Sequence, residues 1–256
     1  MPLNGAPNSF KAKLAQGEPQ IGIWTSLCSS MVAELLAGAG YDWILVDSEH
    51  APNDLGQIVG QLQTIAAWPT EAVVRIPVAD VTVIKRYLDA GARSLLVPFV
   101  EDAAAAREVV RAMRYPPKGV RGVSVAHRGN HFGRVADYLQ TVETNLCVAV
   151  QIETRRALAN IVEIAEVDGI DCVFIGPSDL AADLGHLGNS SHPEVQDAIA
   201  DGMARCRAAG RAIGILAPIQ DEARRWLDAG ATMVAVGSDV GVLRSGTDAL
   251  RRAFAR

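Results

Sequence analysis

The chain has 256 residues and a mass of 27.1 kDa, and 49% of its residues are hydrophobic, enough for a folded domain with a large buried core. It carries 29 acidic and 24 basic residues, a formal charge of −5. The basic residues are scattered, which argues against nucleic acid as a partner. No apolar run is long enough to span a membrane and the first eight residues lack a secretion signal, so we expect a cytoplasmic protein.

A pattern of leucine, small residues and glycine followed by a short apolar run occurs three times. It begins at Leu36, Leu88 and Leu227 and leads into the runs at Trp43, Ser94 and Met233. Glycine can adopt the left-handed conformation that ends a helix, and a continuous apolar run is typical of a parallel strand covered on both faces. Each copy therefore predicts a helix that leads into a buried parallel strand.

Extending this pattern along the chain predicts eight strand and helix units. We predict strands near 21–26, 43–47, 72–76, 94–98, 147–152, 172–176, 213–217 and 233–237. The helices are predicted near 29–39, 54–67, 80–90, 102–114, 154–166, 193–209, 219–229 and 240–254. Eight such units in one chain favour a closed (β/α)₈ barrel, the TIM barrel, as a single domain over residues 1–256.

Three further segments complete the predicted architecture. A short helix near 9–17 is expected to cover the bottom of the barrel, and the stretch from Tyr115 to Val135 is expected to be one loop. The apolar positions of the last helix suit either packing on its own barrel or exchange with another subunit. The four cysteines are far apart, which predicts buried free thiols.

Polar residues follow the predicted strands, where barrel enzymes place their active sites. Glu153 and Asp179 end neighbouring strands. Two carboxylates suit Mg²⁺, Mn²⁺ or Co²⁺ better than a zinc tetrahedron. Alternatively, each acid caps the helix that follows it, and the spacing leaves both interpretations open.

A histidine and an arginine are the other candidates at these strand ends. His50 suits proton transfer near neutral pH, and Asp47 and Glu49 are placed to orient it, although a solvated loop histidine is the alternative. Arg75 ends an apolar strand and is either one arm of a salt bridge or a donor to an oxyanion.

Other candidate groups are weaker. The glycine and asparagine between His127 and His131 argue against a helix that would align both on zinc, and His192 precedes a proline that marks a helix start. The segment from Gly237 to Gly241 could bind a phosphate group, but two glycines are weak evidence for such a site. None of the four lysines follows a predicted strand, so carbonyl chemistry here needs a metal rather than a Schiff base.

Several longer motifs resemble those of the HpcH/HpaI class II pyruvate aldolases, in particular 4-hydroxy-2-oxoheptanedioate and 2-dehydro-3-deoxyglucarate aldolases. The similarity extends from about Asn8 to the C-terminus. Its motifs are Pro19–Trp24, Ala33–Trp43, Asp47–Asn53, Val73–Arg75, Arg114–Gly122, Val150–Thr154 and Val173–Leu180.

The resemblance implies a role for several residues of this chain. It implies a divalent metal at Glu153 and Asp179, His50 as general base, Arg75 as stabiliser of an enolate, and Asp89 as the acid that raises the basicity of the histidine. Asp47 is included with the catalytic candidates. The implied substrate contacts are Gln151, Ser178 and Asp179, with Leu216 as an addition, and Trp24 is included with the substrate-binding candidates.

The same resemblance implies a reaction and an assembly. The reaction is the reversible cleavage of a 4-hydroxy-2-oxo acid to pyruvate or hydroxypyruvate and an aldehyde, with a divalent metal and no organic cofactor. The assembly is a hexamer with a swapped last helix. Two alternatives stay open: a lyase of the same barrel type acting on an acyl-CoA, and a catalytically silent barrel that binds keto acids.

Overall fold

The computed structural model describes residues 7–255, and within them eight parallel strands close into a barrel. Neighbours in sequence pair with each other, and the pairing of Gln20 with Met233 joins the last strand to the first. The strands are β1 Gln20–Thr25, β2 Trp43–Asp47, β3 Glu71–Arg75, β4 Ser94–Val97, β5 Cys147–Ile152, β6 Cys172–Ile175, β7 Ala212–Leu216 and β8 Met233–Ser238. Every predicted strand is confirmed to within one residue at each end, and the predicted (β/α)₈ class is confirmed.

The helices surround this barrel. They are α1 Ser9–Ala15, α2 Ser30–Ala37, α3 Leu55–Ile65, α4 Val81–Asp89, α5 Ala103–Met113, α6 Tyr138–Asn145, α7 Arg155–Ala159, α8 Ile161–Ala165, α9 Pro177–Asp183, α10 Pro193–Ala208, α11 Gln220–Asp228 and α12 Asp239–Ala253. In the three repeated patterns Gly40, Gly91 and Gly230 adopt positive φ angles of 86°, 99° and 97°. These glycines reverse the chain after α2, α4 and α11, as the pattern predicted.

The core has two layers because each strand is covered on both faces. Aliphatic side chains such as Ile44, Val74 and Leu95 fill the space between the barrel and its helices. The barrel interior holds Trp43 and Phe174, and Gly22 has no side chain where the Trp43 indole packs against β1. From the predicted bottom helix, Phe10 packs against Trp43 with ring centroids 6.2 Å apart. Phe10 and Trp43 fill the lower barrel, whereas Phe174 also borders a cavity at the upper rim.

The predictions missed some local structure. The stretch predicted as one loop holds a short 3₁₀ helix, Arg128–Asn130, and α6 follows it. The helix predicted at 154–166 is two short helices divided at Asn160, whose ψ of 8° interrupts the helical backbone. The sequence analysis also missed α9, where Pro177 occupies the first turn after Gly176.

The last helix is amphipathic but exposed. Along α12 the apolar side chains Val242, Leu243 and Leu250 are each more than half exposed, as is Phe254 directly after the helix. Cys147, Cys172 and Cys206 are buried free thiols as predicted, whereas Cys28 is half-buried. Within residues 7–255, none of the helices combines the length and apolarity needed to cross a lipid bilayer. The expectation about a secretion signal concerns residues that lie mostly outside this range.

Candidate active site

A cavity of about 320 Å³ opens at the C-terminal rim of the barrel. It is large enough for a small metabolite, and this rim is where barrel enzymes carry out their chemistry. The residues around it come from at least five strand ends: Trp24, His50, Arg75, Gln151, Glu153, Phe174, Gly176, Pro177, Ser178, Asp179 and Leu216. Of the predicted site residues within the described chain, Asp47 and Asp89 are not part of this lining.

Arg75 is fixed by two acids from the end of β2. Asp47 and Arg75 are paired positions of β2 and β3, and the carboxylate accepts two parallel hydrogen bonds of 2.9 Å from Nε and Nη2 of the guanidinium. Glu49 adds a 2.9 Å ion pair to Nη1. The Arg75 guanidinium also lies 5.1 Å from the centre of the Trp24 ring. Arg75 is therefore in a salt bridge and also faces the cavity, and its role as a donor to an oxyanion stays a prediction.

Asp47 and Glu49 were predicted to orient His50, but the side-chain contacts of both acids described above are with Arg75. Burial alone would raise the pKa of Asp47, but the hydrogen bonds and charge of Arg75 lower it overall. Its carboxylate also accepts hydrogen bonds from the backbone N–H groups of Glu49 and His50, at 3.1 and 3.4 Å. Asp47 thus positions Arg75 and the backbone before His50. Burial raises the pKa of Glu49.

A second set of contacts holds Arg75 from its backbone side. The Ser48 hydroxyl donates to the Arg75 carbonyl at 2.6 Å and accepts from the Tyr87 hydroxyl at 3.0 Å. Asn53 donates to the Asp47 carbonyl at 2.6 Å and accepts from Gln61 at 2.8 Å. These buried or partly buried bonds tie the rim of β2 and β3 to α3 and α4, so the guanidinium has little freedom to move.

Glu153 is a buried carboxylate at the end of β5. Its Oε1 accepts a 2.8 Å hydrogen bond from Gln151 Nε2, and its Oε2 accepts one of 3.1 Å from the backbone N–H of Phe99. Burial, together with the nearby carboxylates of Asp179 and Glu49, raises the pKa of Glu153 to about 7. Glu153 does not cap the following helix, since Thr154 caps α7 by accepting from the Ala157 N–H.

Asp179 faces the same cavity from the first turn of α9. Gly176 and Pro177 set the sharp turn from β6 into this helix, and a side chain at Gly176 would collide with Glu153. Because Gly176 has no side chain, the Glu153 carboxylate can lie beside the start of α9. The predicted pair of acids from neighbouring strands is brought together here.

Asp89 lies elsewhere, at the end of α4. Its Oδ1 accepts a 2.8 Å hydrogen bond from the buried Arg121 and lies 3.7 Å from His127 Nε2. Within one chain it is therefore paired with an arginine instead of His50. Its predicted role toward the histidine stays a prediction.

Sequence reasoning missed several groups that shape the site. Glu49 was predicted to orient His50. Its position two residues after Asp47 in the sequence gave no indication that it forms an ion pair with Arg75. Phe99, with a φ of 51°, contributes only a backbone amide to Glu153, for which no side-chain signal exists. The signal for Gly176 was visible, because a glycine directly after a buried strand permits close approach.

A closed parallel barrel whose upper rim gathers a buried acid, a half-buried acid, an arginine and a histidine around one cavity defines a (β/α)₈ barrel enzyme. Residues 20–246 match the HpcH/HpaI aldolase/citrate lyase family. The chain belongs to this family, so the predicted resemblance and the predicted class of carbon–carbon lyase are confirmed.

Individual relatives are similar over almost their whole length. The chain is 55% identical over 250 residues to a 4-hydroxy-2-oxovalerate aldolase of Rhodococcus jostii (strain RHA1), covering 97% of this chain and 96% of the relative. It is 53% identical over 248 residues to a 4-hydroxy-2-oxo-heptane-1,7-dioate aldolase of Klebsiella pneumoniae subsp. pneumoniae, covering 96% and 94%. A crystal structure of an HpcH/HpaI aldolase/citrate lyase family protein from Burkholderia cenocepacia J2315 superimposes with a TM-score of 0.93 at 44% identity, covering 97% and 100%.

Proposed function

We propose that this chain, acting as one barrel domain, reversibly cleaves a 4-hydroxy-2-oxo acid to pyruvate, or hydroxypyruvate, and an aldehyde with the help of a divalent metal ion. The observation that carries the proposal is the cavity in which Glu153 and Asp179 face His50 and Arg75. The two relatives named above are aldolases of 4-hydroxy-2-oxo acids, which supports the same substrate class here.

The residues at the rim fit a divalent cation. Glu153 and Asp179 offer hard oxygen ligands, and the raised pKa of the buried Glu153 reflects a carboxylate that a cation would stabilise in its ionised form. Within residues 7–255, Gln151 Oε1 is buried without a hydrogen-bond donor, so this rim also holds an unused oxygen acceptor. Oxygen ligands favour Mg²⁺, Mn²⁺ or Co²⁺. Bound there, the ion would act as a Lewis acid toward the keto group of the 2-oxo acid.

Arg75 is placed to stabilise the enolate. Asp47 and Glu49 hold its guanidinium by three contacts of 2.9 Å, and its side chain lines the cavity. A fixed cationic donor stabilises the negative charge that develops on the enolate oxygen when the C3–C4 bond breaks. Removal of one such donor typically costs ~3 kcal/mol, or about a hundredfold in rate.

His50 is placed to move the proton. In cleavage it accepts the proton of the 4-hydroxyl group while the electron pair of the C3–C4 bond passes into the enolate, and the aldehyde is released. The proton is then returned to C3, which gives the methyl group of pyruvate. In synthesis His50 removes a proton from that methyl group. Its exposed side chain at the mouth of the cavity lets it exchange protons with solvent.

The remaining lining residues are the proposed substrate contacts. Trp24 packs under Arg75, Gln151 lies beside Glu153, and Ser178 and Leu216 border the cavity. Ser178 offers a hydroxyl and Leu216 an apolar surface, so the aldehyde end of the substrate meets both kinds of contact. This part of the rim is where preference among aldehydes would arise.

We also propose that copies of this chain assemble through α12, with a hexamer as the expected state. The helix leaves a row of exposed apolar side chains, and a second copy is the partner that would bury it. Sedimentation of Leu250→Asp is expected to show smaller assemblies. Leu187→Asp, a change at a still more exposed leucine outside α12, is the control and is expected to sediment as the wild type does. Unchanged assembly of Leu250→Asp contradicts this arrangement.

The test of the reaction is an assay of pyruvate release. Protein stripped with EDTA and resupplied with Mg²⁺, Mn²⁺ or Co²⁺ is incubated with 4-hydroxy-2-oxo acids of different chain length. We expect cleavage with metal and none without it, and no covalent lysine adduct after borohydride reduction with pyruvate. Full activity of the stripped protein contradicts the metal proposal. Binding of pyruvate without turnover across an aldehyde panel favours a silent barrel.

A further inference from the structure

The loop from 184 to 192, between α9 and α10, holds a cluster of metal-binding residue types that the proposed reaction does not use. His186 lies in this loop, His192 caps α10, and Glu194 is in the first turn of that helix. The two imidazole rings stack with centroids 3.6 Å apart and planes 15° from parallel. His186 Nε2 lies 2.8 Å from Glu194 Oε2. Three side chains from a short stretch of chain are thus gathered at one point.

Their ligand atoms have suitable spacing for a metal ion. One atom from each of His186, His192 and Glu194 lies within 4.8 Å of the others. A tetrahedral ion with ligands at about 2.0–2.2 Å keeps them roughly 3.4 Å apart. The three side chains are half-buried or exposed, so they can shift by the difference of at most about 1.4 Å without disturbing the core.

We propose that His186, His192 and Glu194 form a second metal site for a borderline divalent ion of the Zn²⁺ type, with water completing the coordination. Two imidazole nitrogens and one carboxylate are a ligand set that Zn²⁺, Ni²⁺ and Cu²⁺ prefer over Mg²⁺. The rim of the barrel offers oxygen ligands instead. The two sites therefore differ in the metal that they select.

The charge of the cluster supports a cation. A glutamate carboxylate is ionised at neutral pH, and Glu194 therefore supplies a negative charge beside His186. Neutral imidazoles are the form that binds a metal. A cation bound by one nitrogen of each ring and by the carboxylate would hold all three side chains together.

An ion here would fix the chain segment that follows the active-site rim. α9 begins beside Ser178 and Asp179, which line the cavity, and the loop after it carries His186. His192 and Glu194 belong to the start of α10, which packs on the barrel. The ion would therefore join the end of the α9 loop to α10, a structural role with no part in proton transfer.

The test uses the untagged full-length protein with the Glu153→Gln change, which weakens metal binding at the rim. We expect equilibrium dialysis to find one Zn²⁺ per chain, and the Cu²⁺-loaded protein to show an electron paramagnetic resonance spectrum with hyperfine splitting from two imidazole nitrogens. Adding His186→Gln or His192→Gln is expected to weaken Zn²⁺ binding about tenfold or more. In each of these variants the Cu²⁺ spectrum should retain hyperfine splitting from only one imidazole nitrogen.

The matched control is His131→Gln, which removes a histidine from another loop and is expected to leave binding and spectrum unchanged. Zn²⁺ binding that persists in a His186→Gln, His192→Gln double variant overturns the proposal, as does a Cu²⁺ spectrum without two nitrogens. In a chain with Glu153 intact, the double variant should retain Mg²⁺-supported cleavage. Loss of that activity with an unchanged circular dichroism spectrum contradicts the independence of the two sites.

Discussion

Asp47 and Arg75 are paired positions of two adjacent strands, and their side chains meet in two parallel hydrogen bonds of 2.9 Å. The register of β2 and β3 therefore sets the direction of the guanidinium toward the cavity. A buried arginine needs such a partner, because an uncompensated charge would be costly away from water. The fold thus holds the positively charged guanidinium of Arg75 in the position that stabilisation of the proposed enolate requires.

Replacing Asp47 with asparagine tests this relationship. The change preserves shape but leaves Arg75 with Glu49 as its charged partner, so we expect a destabilisation of about 3 kcal/mol and a fall in kcat that exceeds any rise in KM. Urea unfolding and steady-state kinetics measure both effects. Asp221→Asn, at an exposed ion pair with Arg224, should cost less than about 1 kcal/mol. Equal effects of the two changes contradict the positioning role of Asp47.

His50→Gln tests proton transfer separately from metal binding. We expect the exchange of pyruvate methyl protons with deuterated water to slow by about 10²-fold or more, because the general base is lost. Proton magnetic resonance follows the exchange, and titration with Mn²⁺ should give the same Kd as the wild type. His131→Gln serves as the control and should exchange normally. Rapid exchange in His50→Gln would assign the base to another residue.

Gly176→Ala tests the place of Glu153 without changing its charge. The added Cβ would lie 2.7 Å from Glu153 Cγ and Oε1, so the carboxylate must move. We expect Mn²⁺ to bind about tenfold more weakly, a cost of about 1.4 kcal/mol. Gly237→Ala is the matched control, since its Cβ would meet nothing within 4 Å. If both variants bind Mn²⁺ equally, Glu153 is not a metal ligand.

The raised pKa of Glu153 predicts how stability depends on pH in the metal-free protein. Burial raises this pKa from 4.5 to about 7, so the unfolded chain ionises first as the pH rises. The free energy of unfolding should fall between about pH 4.5 and 7, by about 3 kcal/mol from this group, and then stay constant. Urea unfolding of EDTA-treated protein at fixed concentration measures this change.

Glu153→Gln is the reference for that experiment, because it removes the titrating group and keeps the shape. The difference in stability between the two proteins should depend on pH over the same interval. A difference that is the same at pH 5 and pH 8 would mean that Glu153 titrates normally.

The strands and the rim could be predicted because their signals are local. A continuous apolar run identifies each buried strand, and the residue that follows it, such as Arg75 or Glu153, lies at the rim by the geometry of a parallel barrel. The partner of Arg75 could not be predicted in the same way. Asp47 precedes His50 by three residues in the sequence, whereas its pairing with Arg75 depends on the register of two strands.

Short helices and backbone contacts escaped prediction for a related reason. α9 has seven residues and begins at a proline, so it carries too little periodicity to be recognised. The backbone N–H of Phe99 donates to Glu153 because of the conformation of the loop that follows β4. No residue type in the sequence indicates that conformation. Asp89 was placed near the histidine by resemblance, while in one chain it contacts Arg121.

The most direct test of the central claim is a crystal structure of the protein soaked with Mn²⁺ and pyruvate, with anomalous scattering used to locate the ion. We predict an anomalous peak within coordination distance of the Glu153 and Asp179 carboxylates, with pyruvate bound beside Arg75. Carboxylates turned away from an ion-free cavity, in crystals whose pyruvate is clearly ordered, would contradict the account.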